Sequence, residues 1–266
     1  MEFNTILLAF LLTLFAGLST GIGGLIAFFA KRTNTKMLSV ALGFSAGVMI
    51  YVSMVEIFSK AKTSLVNELG DELGNITVIL AFFGGMLLIG IIDKLVPSED
   101  NPHEVRRVED VKELNKSSLV KMGKYTALAI AIHNFPEGLV TFTSAIQDPS
   151  LGIAIAIAIA IHNIPEGIAV SIPLFYATGD RKKAFGLSFL SGLSEPVGAL
   201  IGYLILMPFL NEVVFGIVFA SVAGIMVFIS LDELLPTARE YGEAHSAMYG
   251  LVLGMFIMAV SLVLFI

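Results

Sequence analysis

Histidine, asparagine, proline and glutamate recur together twice in this chain, as HNFPEG at residues 133–138 and HNIPEG at 162–167, with five of six positions identical. Imidazole nitrogens, carboxylate oxygens and amide oxygens are the donor set of divalent cations such as zinc, iron(II) and manganese; they do not suit copper(I), which favours sulfur. On a helix advancing about 100° per residue, a histidine set at 0° leaves asparagine at about 100° and glutamate at about 40°. Each glutamate therefore lies between the other two on one face and can bridge two ions. Two antiparallel helices would supply His133, Glu137, His162 and Glu166 to one ion, and Asn134, Glu137, Asn163 and Glu166 to a second.

The prolines add to this. Pro136 cannot donate to the carbonyl of Ile132, nor Pro165 to that of Ile161, so each leaves a carbonyl needing a partner. The glycine after each glutamate permits close approach of a backbone or an ion. SEPVG at 194–198 repeats the theme more loosely, and Glu195 is the candidate to complete the carboxylate-rich half. Glu56 reads as an interfacial carboxylate, with an entry ligand as the alternative; Met49 reads as packing, with a thioether contact to a soft ion as the alternative. LDELLP, followed by Glu240, Glu243 and His245, reads as a solvated helix end rather than a metal exit path, and His103 is a lone loop histidine.

These groups sit inside long apolar runs. A transmembrane helix needs about 20 mostly apolar residues. Such runs occur at about 5–29, 37–57, 74–94, 122–144, 150–176, 184–208, 213–232 and 247–266, which predicts an all-α integral membrane protein of eight spans forming one transmembrane domain over 1–266. The Ala/Ile alternation at 154–161 has no polar partner, so it predicts helix rather than barrel strand. An ionisable group within a span is unfavourable by ~2.5–3.5 kcal/mol on insertion scales. Such groups are scarce here and gather in spans four, five and six. GLSTG (17–21), GFSAG (43–47), GALIG (198–202) and GLVLG (250–254) suit close helix packing in lipid, and such faces permit a homodimer.

The basic residues give orientation. Of 16 lysines and arginines, 14 fall on one side if the spans alternate, and only Lys60 and Lys62 on the other. The positive-inside rule places the 14 in the cytoplasm, with both termini extracytoplasmic and the polar 97–120 loop inside. The apolar run after Met1, Glu2 and Phe3 exceeds a signal peptide's core and reads as a retained span. With 56% apolar and 14% charged residues, against about 25% charged in soluble proteins, the composition points to the lipid bilayer. A net charge of -6 is no nucleic-acid footprint, and the absence of cysteine excludes disulfides and thiolate metal sites.

With its eight spans and doubled hexapeptide, the chain resembles the ZIP (Zrt/Irt-like) metal transporters, in particular their bacterial ZupT-type branch. The resemblance covers essentially the whole sequence. It implies uptake of zinc and other divalent ions (iron(II), manganese, cobalt, cadmium) across the bacterial inner membrane, with no prosthetic group. It implies a binuclear centre whose ligands are His133, Asn134, Glu137, His162, Asn163, Glu166 and Glu195. It also implies an inverted repeat relating spans one to three to spans six to eight. The loop after span three is often histidine-rich in the family and here holds only His103.

Alternating access around a midplane site, with release aided by protonation of a ligand, is the expected mechanism; proton symport is compatible with it. A channel using the same site is the alternative. The other alternative is an intramembrane metalloenzyme, for instance a protease, which would need H-E-x-x-H, in which glutamate follows the first histidine. That motif is absent, and asparagine holds the place.

Overall fold

A computed structural model describes residues 3–29, 35–95, 116–209, 211–241 and 244–264, with the backbone alone at 116–130, at His133 and at a few other positions. His103, Glu243 and most of the 97–120 loop lie outside the described residues. Helices α1 (Phe3–Phe29), α2 (Thr35–Tyr51), α3 (Phe58–Leu69) and α4 (Asp71–Leu95) come first, then α5 (Lys116–Gln147) and α6 (Pro149–Thr178). They are followed by α7 (Arg181–Gly192), α8 (Ser194–Leu206), α9 (Glu212–Ile229), α10 (Leu235–Tyr241) and α11 (Ala244–Leu264). No strand occurs among the described residues.

Local chemistry sets the turns. Asp148 alone separates α5 from α6; its side chain caps Ser150 N at 2.9 Å and Pro149 takes the first helical position, where its missing N–H removes nothing. Gly179 closes α6 with φ 66°, and Asp180 caps α7 through the N–H groups of Lys182 and Lys183. Gly70, at φ 80°, joins α3 to α4.

Eight helical passes result among the described residues. Among those residues seven stretches are long and apolar enough to cross a membrane: Phe3–Leu25, Lys36–Leu69, Asp71–Lys94, Pro149–Ile168, Arg181–Ile205, Glu212–Glu240 and His245–Leu264. The eighth pass is α5, which three lysines begin and HNFPEG interrupts. It packs against α1, α6, α7 and α8, so little of it needs to be apolar on lipid grounds. Two passes outrun their apolar sequence. α2 continues through a π-helical turn, Val52–Ile57, into α3, whose Ala61, Ser64 and Leu65 are buried. α9 continues through a second π turn, Ser230–Leu234, into α10. The polar face of an amphipathic extension hides it from an apolar-run reading.

The passes form two groups of four. α1, α5, α6 and α7–α8 pack together, as do α2–α3, α4, α9–α10 and α11; α2 against α6 and α9 against α5 join them. α4 turns Ile76, Leu80, Phe83 and Leu87 outward, as a lipid-facing helix should.

The crossings repeat in register. A side chain at Gly17 would meet the carbonyl of Gly192, and one at Gly192 would meet the carbonyl of Gly17. Likewise Gly23 abuts Ile164 O as Gly198 abuts Phe135 O, and Gly167 abuts Thr20 O as Gly138 abuts Glu195 O. α1 thus maps onto α7–α8 with GLSTGIG (17–23) over GLSEPVG (192–198), while α6 maps onto α5. In the other group Gly47 meets Leu251 O as Gly224 meets Phe82 O, and Gly254 meets Phe44 O as Gly85 meets Ser221 O. The two π turns fall at matching places, in AGVMIYVSMVEI (46–57) and AGIMVFISLDEL (223–234).

Candidate metal centre

The site lies within the first helix group. One donor atom from each of Glu137 in α5, and His162 and Glu166 in α6, lies within 4.8 Å of the others, and all three residues are buried. Glu137 Oε1 stands 3.3 Å from His162 Nε2. The single-residue turn at Asp148 makes α5 and α6 antiparallel neighbours, so their two hexapeptides meet at the same depth.

Asn163 extends the site toward α1 and α8. Its Nδ2 donates to the carbonyl of Ala16, at 2.8 Å, and to the Glu195 carboxylate. Two acceptors on one end of the amide fix which end is nitrogen, so Oδ1 faces the other way. Glu195 is fully buried just beyond Leu193, where the sixth pass breaks between α7 and α8. Pro196 cannot donate to the carbonyl of Gly192, which favours that break. From the second helix group, Ser45 Oγ donates to the carbonyl of His162 at 3.3 Å.

The polar atoms left over test whether a cation suits the place. Among the described residues, neither amide atom of Asn134 has a hydrogen-bond partner, nor does Asn163 Oδ1 or Glu195 Oε2, and the Glu137 carboxylate accepts no hydrogen bond. A buried polar atom without a partner is unfavourable by about 1–3 kcal/mol, and a charged one by more. Carboxylate and amide oxygens beside an imidazole, all screened from water, are a donor set that a divalent cation would satisfy.

The structure brings together Glu137, His162 and Glu166, and places Asn163 against Glu195. Asn134 is buried on α5 beside them in sequence, and the backbone of His133 lies in the same helix while its side chain is outside the described residues. Glu56 is not in the cluster: it sits in the first π turn, 4.0 Å from Lys60 Nζ. Met49 is fully buried in the apolar core with Val52 and Met226. In the LDELLP segment Asp232 is exposed and Glu233 buried, and His245 lies beside Tyr249 with the rings tilted and their centroids 6.4 Å apart. Sequence reasoning missed two contributors. The Ala16 carbonyl has no side-chain signal, and Ser45 looked like one small residue in a packing pattern.

A multi-pass helical membrane protein with a buried carboxylate–imidazole cluster able to hold a metal ion is the class these features define. Comparison with known proteins gives the family. The family model described as ZIP Zinc transporter matches residues 93–262. The chain is 68% identical over 265 residues to "Zinc transporter ZupT" of Oceanobacillus iheyensis, covering 98% of this chain and 99% of that one. It is 68% identical to the protein of the same name from Lysinibacillus sphaericus over 267 residues, 99% of each chain. The Clostridium perfringens protein of that name is 61% identical over 278 residues, 99% of this chain and 98% of its own. The chain belongs to the ZIP zinc transporter family. That family is one of transporters, not enzymes.

Proposed function

We propose that this chain carries zinc across the bacterial inner membrane into the cytoplasm through the Glu137–His162–Glu166 centre. The observation that carries the reading is the burial of three donor residues from two antiparallel copies of one motif, with their donor atoms within 4.8 Å. Relatives covering the whole chain bear the name of zinc transporters.

Two ions share the centre. His133 and His162, with both glutamates, hold the first; Asn134, Asn163 and Glu195, with both glutamates, hold the second. The unpartnered oxygens of Asn163 and Glu195 support the second position. An oxygen–imidazole donor set also accepts iron(II), manganese, cobalt and cadmium. Both termini lie outside, as the distribution of lysine and arginine favours. The exposed apolar faces of α4 and α11 contact lipid, and permit pairing with a second copy. Glu56 is a secondary contact for entering ions, and Met49 a packing residue.

The two helix groups suggest a carrier in which one group moves against the other, rather than a channel, whose path stays open. Saturable flux distinguishes them. Ligands bind metal only when deprotonated, so uptake falls as the pH on the loading side falls. The test is zinc uptake into sealed vesicles: Glu137→Ala and Glu166→Ala abolish it, and a normal rate in either variant would place the site elsewhere.

A further inference from the structure

The repeat register sets Thr20 where Glu195 stands. Thr20 follows GLS in α1 as Glu195 follows GLS at the start of α8. A side chain added at Gly17 would touch the Cβ of Glu195, and one added at Gly192 would touch the Cβ of Thr20. Each carbonyl receives the glycine that ends a hexapeptide, Gly167 for Thr20 and Gly138 for Glu195. Each residue is fully buried.

Their side chains differ, and so do the asparagines they mirror. Glu195 accepts from Asn163, which also donates to the Ala16 carbonyl. The mirror of Asn163 is Asn134, and the mirror of the Ala16 carbonyl is that of Ser191. Ser194 Oγ already occupies the latter at 2.6 Å. Among the described residues Asn134 has no hydrogen-bond partner, and neither does Thr20 Oγ1. One half of the site is a carboxylate–amide pair, and its mirror half is a hydroxyl and an amide, both buried and unpaired.

We propose that Thr20 sets how tightly the transport site holds its ions: it occupies the mirror seat of Glu195 with a neutral hydroxyl and so leaves the two-ion centre one carboxylate short of neutrality. The inference rests on the transport reading above. Glu137, Glu166 and Glu195 supply three negative charges against the four positive charges of two divalent ions. The second ion is consequently held loosely on the Thr20 side. A transported ion must be bound tightly enough to enter and loosely enough to leave. A fourth carboxylate at Thr20 complements both ions, strengthens their binding and slows release.

The test exchanges the two residues. In sealed vesicles Glu195→Thr lowers zinc uptake by at least about 10-fold, the scale of losing a metal-site group. Adding Thr20→Glu to it returns uptake to within about threefold of wild type, because the carboxylate has moved to an equivalent seat. Thr20→Glu alone binds its second zinc about 10-fold more tightly by calorimetric titration in detergent, and transports more slowly at saturating zinc. A double variant no better than Glu195→Thr, with an unchanged melting temperature, overturns the proposal, as does an unchanged zinc titration in Thr20→Glu. Failure of Thr20→Glu to fold also overturns it, because equivalent seats must both admit glutamate. If wild type itself moves no zinc, the transport reading fails, while the titration still reports on the Thr20 seat.

Discussion

The two hexapeptides are nearly the same in sequence and are braced unequally. In α6, Asn163 is tied to α1 through the Ala16 carbonyl and to α8 through Glu195, and Ser45 donates to the His162 carbonyl from α2. In α5, Asn134 is equally buried but has no hydrogen-bond partner among the described residues. The backbone seats are alike: Phe135 and Ile164, the variable positions of the motif, each present a carbonyl to a glycine of the neighbouring helix, Gly198 and Gly23. The helix crossings agree between the two halves, while the side chains around them differ.

The largest expected effect comes from the residues on which both halves agree. Loss of an outer-shell group at a metal site typically lowers affinity or activity about 10–100-fold, so removing a carboxylate that the proposed centre shares between two ions should exceed about 100-fold. Zinc uptake by Glu137→Ala and Glu166→Ala should fall equally. A mild phenotype in one alone would show that only one glutamate bridges. The asparagines should separate. Asn163→Ala frees Glu195 and removes the hydrogen bond to the Ala16 carbonyl, whereas Asn134→Ala breaks no hydrogen bond among the described residues. Uptake by Asn163→Ala is expected to be about 10-fold lower than by Asn134→Ala, and the reverse order would break the comparison.

How much of this was legible in the sequence follows from where the signals lie. Eight apolar runs mark the eight passes, because lipid imposes hydropathy directly. The π turns at Val52–Ile57 and Ser230–Leu234, and the break at Leu193, fall in or at the ends of those runs and leave no mark on their hydropathy. The hexapeptides were legible as two halves of one site because glutamate, histidine and asparagine are rare at membrane depth. The repeat that the family resemblance implies is written in the chain as GLSTGIG over GLSEPVG and AGVMIYVSMVEI over AGIMVFISLDEL. It is easily passed over, since the copies are far apart and share mostly small and apolar residues. Thr20, one of four hydroxyl residues in an apolar helix, carries no signal until Glu195 is seen to be its counterpart.

The glycines after the two glutamates give the next test in size. A methyl group at Gly138 would overlap the Glu195 carbonyl, and one at Gly167 the Thr20 carbonyl. Overpacking of this kind typically destabilises by about 1–3 kcal/mol. Gly138→Ala and Gly167→Ala should lower thermal stability in detergent by similar amounts if the crossings are equivalent. Gly138→Ala should impair zinc binding more, since it displaces the helix start that presents Glu195. Equal loss of binding in both variants would mean that Thr20 and Glu195 contribute alike.

The smallest effect belongs to Ser45. Its bond to the His162 carbonyl, at 3.3 Å, is long and joins the two helix groups beside the site. A neutral hydrogen bond typically contributes about 0.5–1.5 kcal/mol net, and a long one falls at the low end. Ser45→Ala is expected to leave zinc affinity within about threefold of wild type. Its effect should fall on exchange, because a bond across the seam must break whenever one group moves against the other. If the groups move, Ser45→Ala alters the maximal uptake rate more than the zinc concentration at half-maximal rate. If instead the half-maximal concentration shifts and the maximal rate stays fixed, Ser45 orients His162 for the metal, and the braced copy of the motif owes its rigidity to the second helix group as well as to α1 and α8.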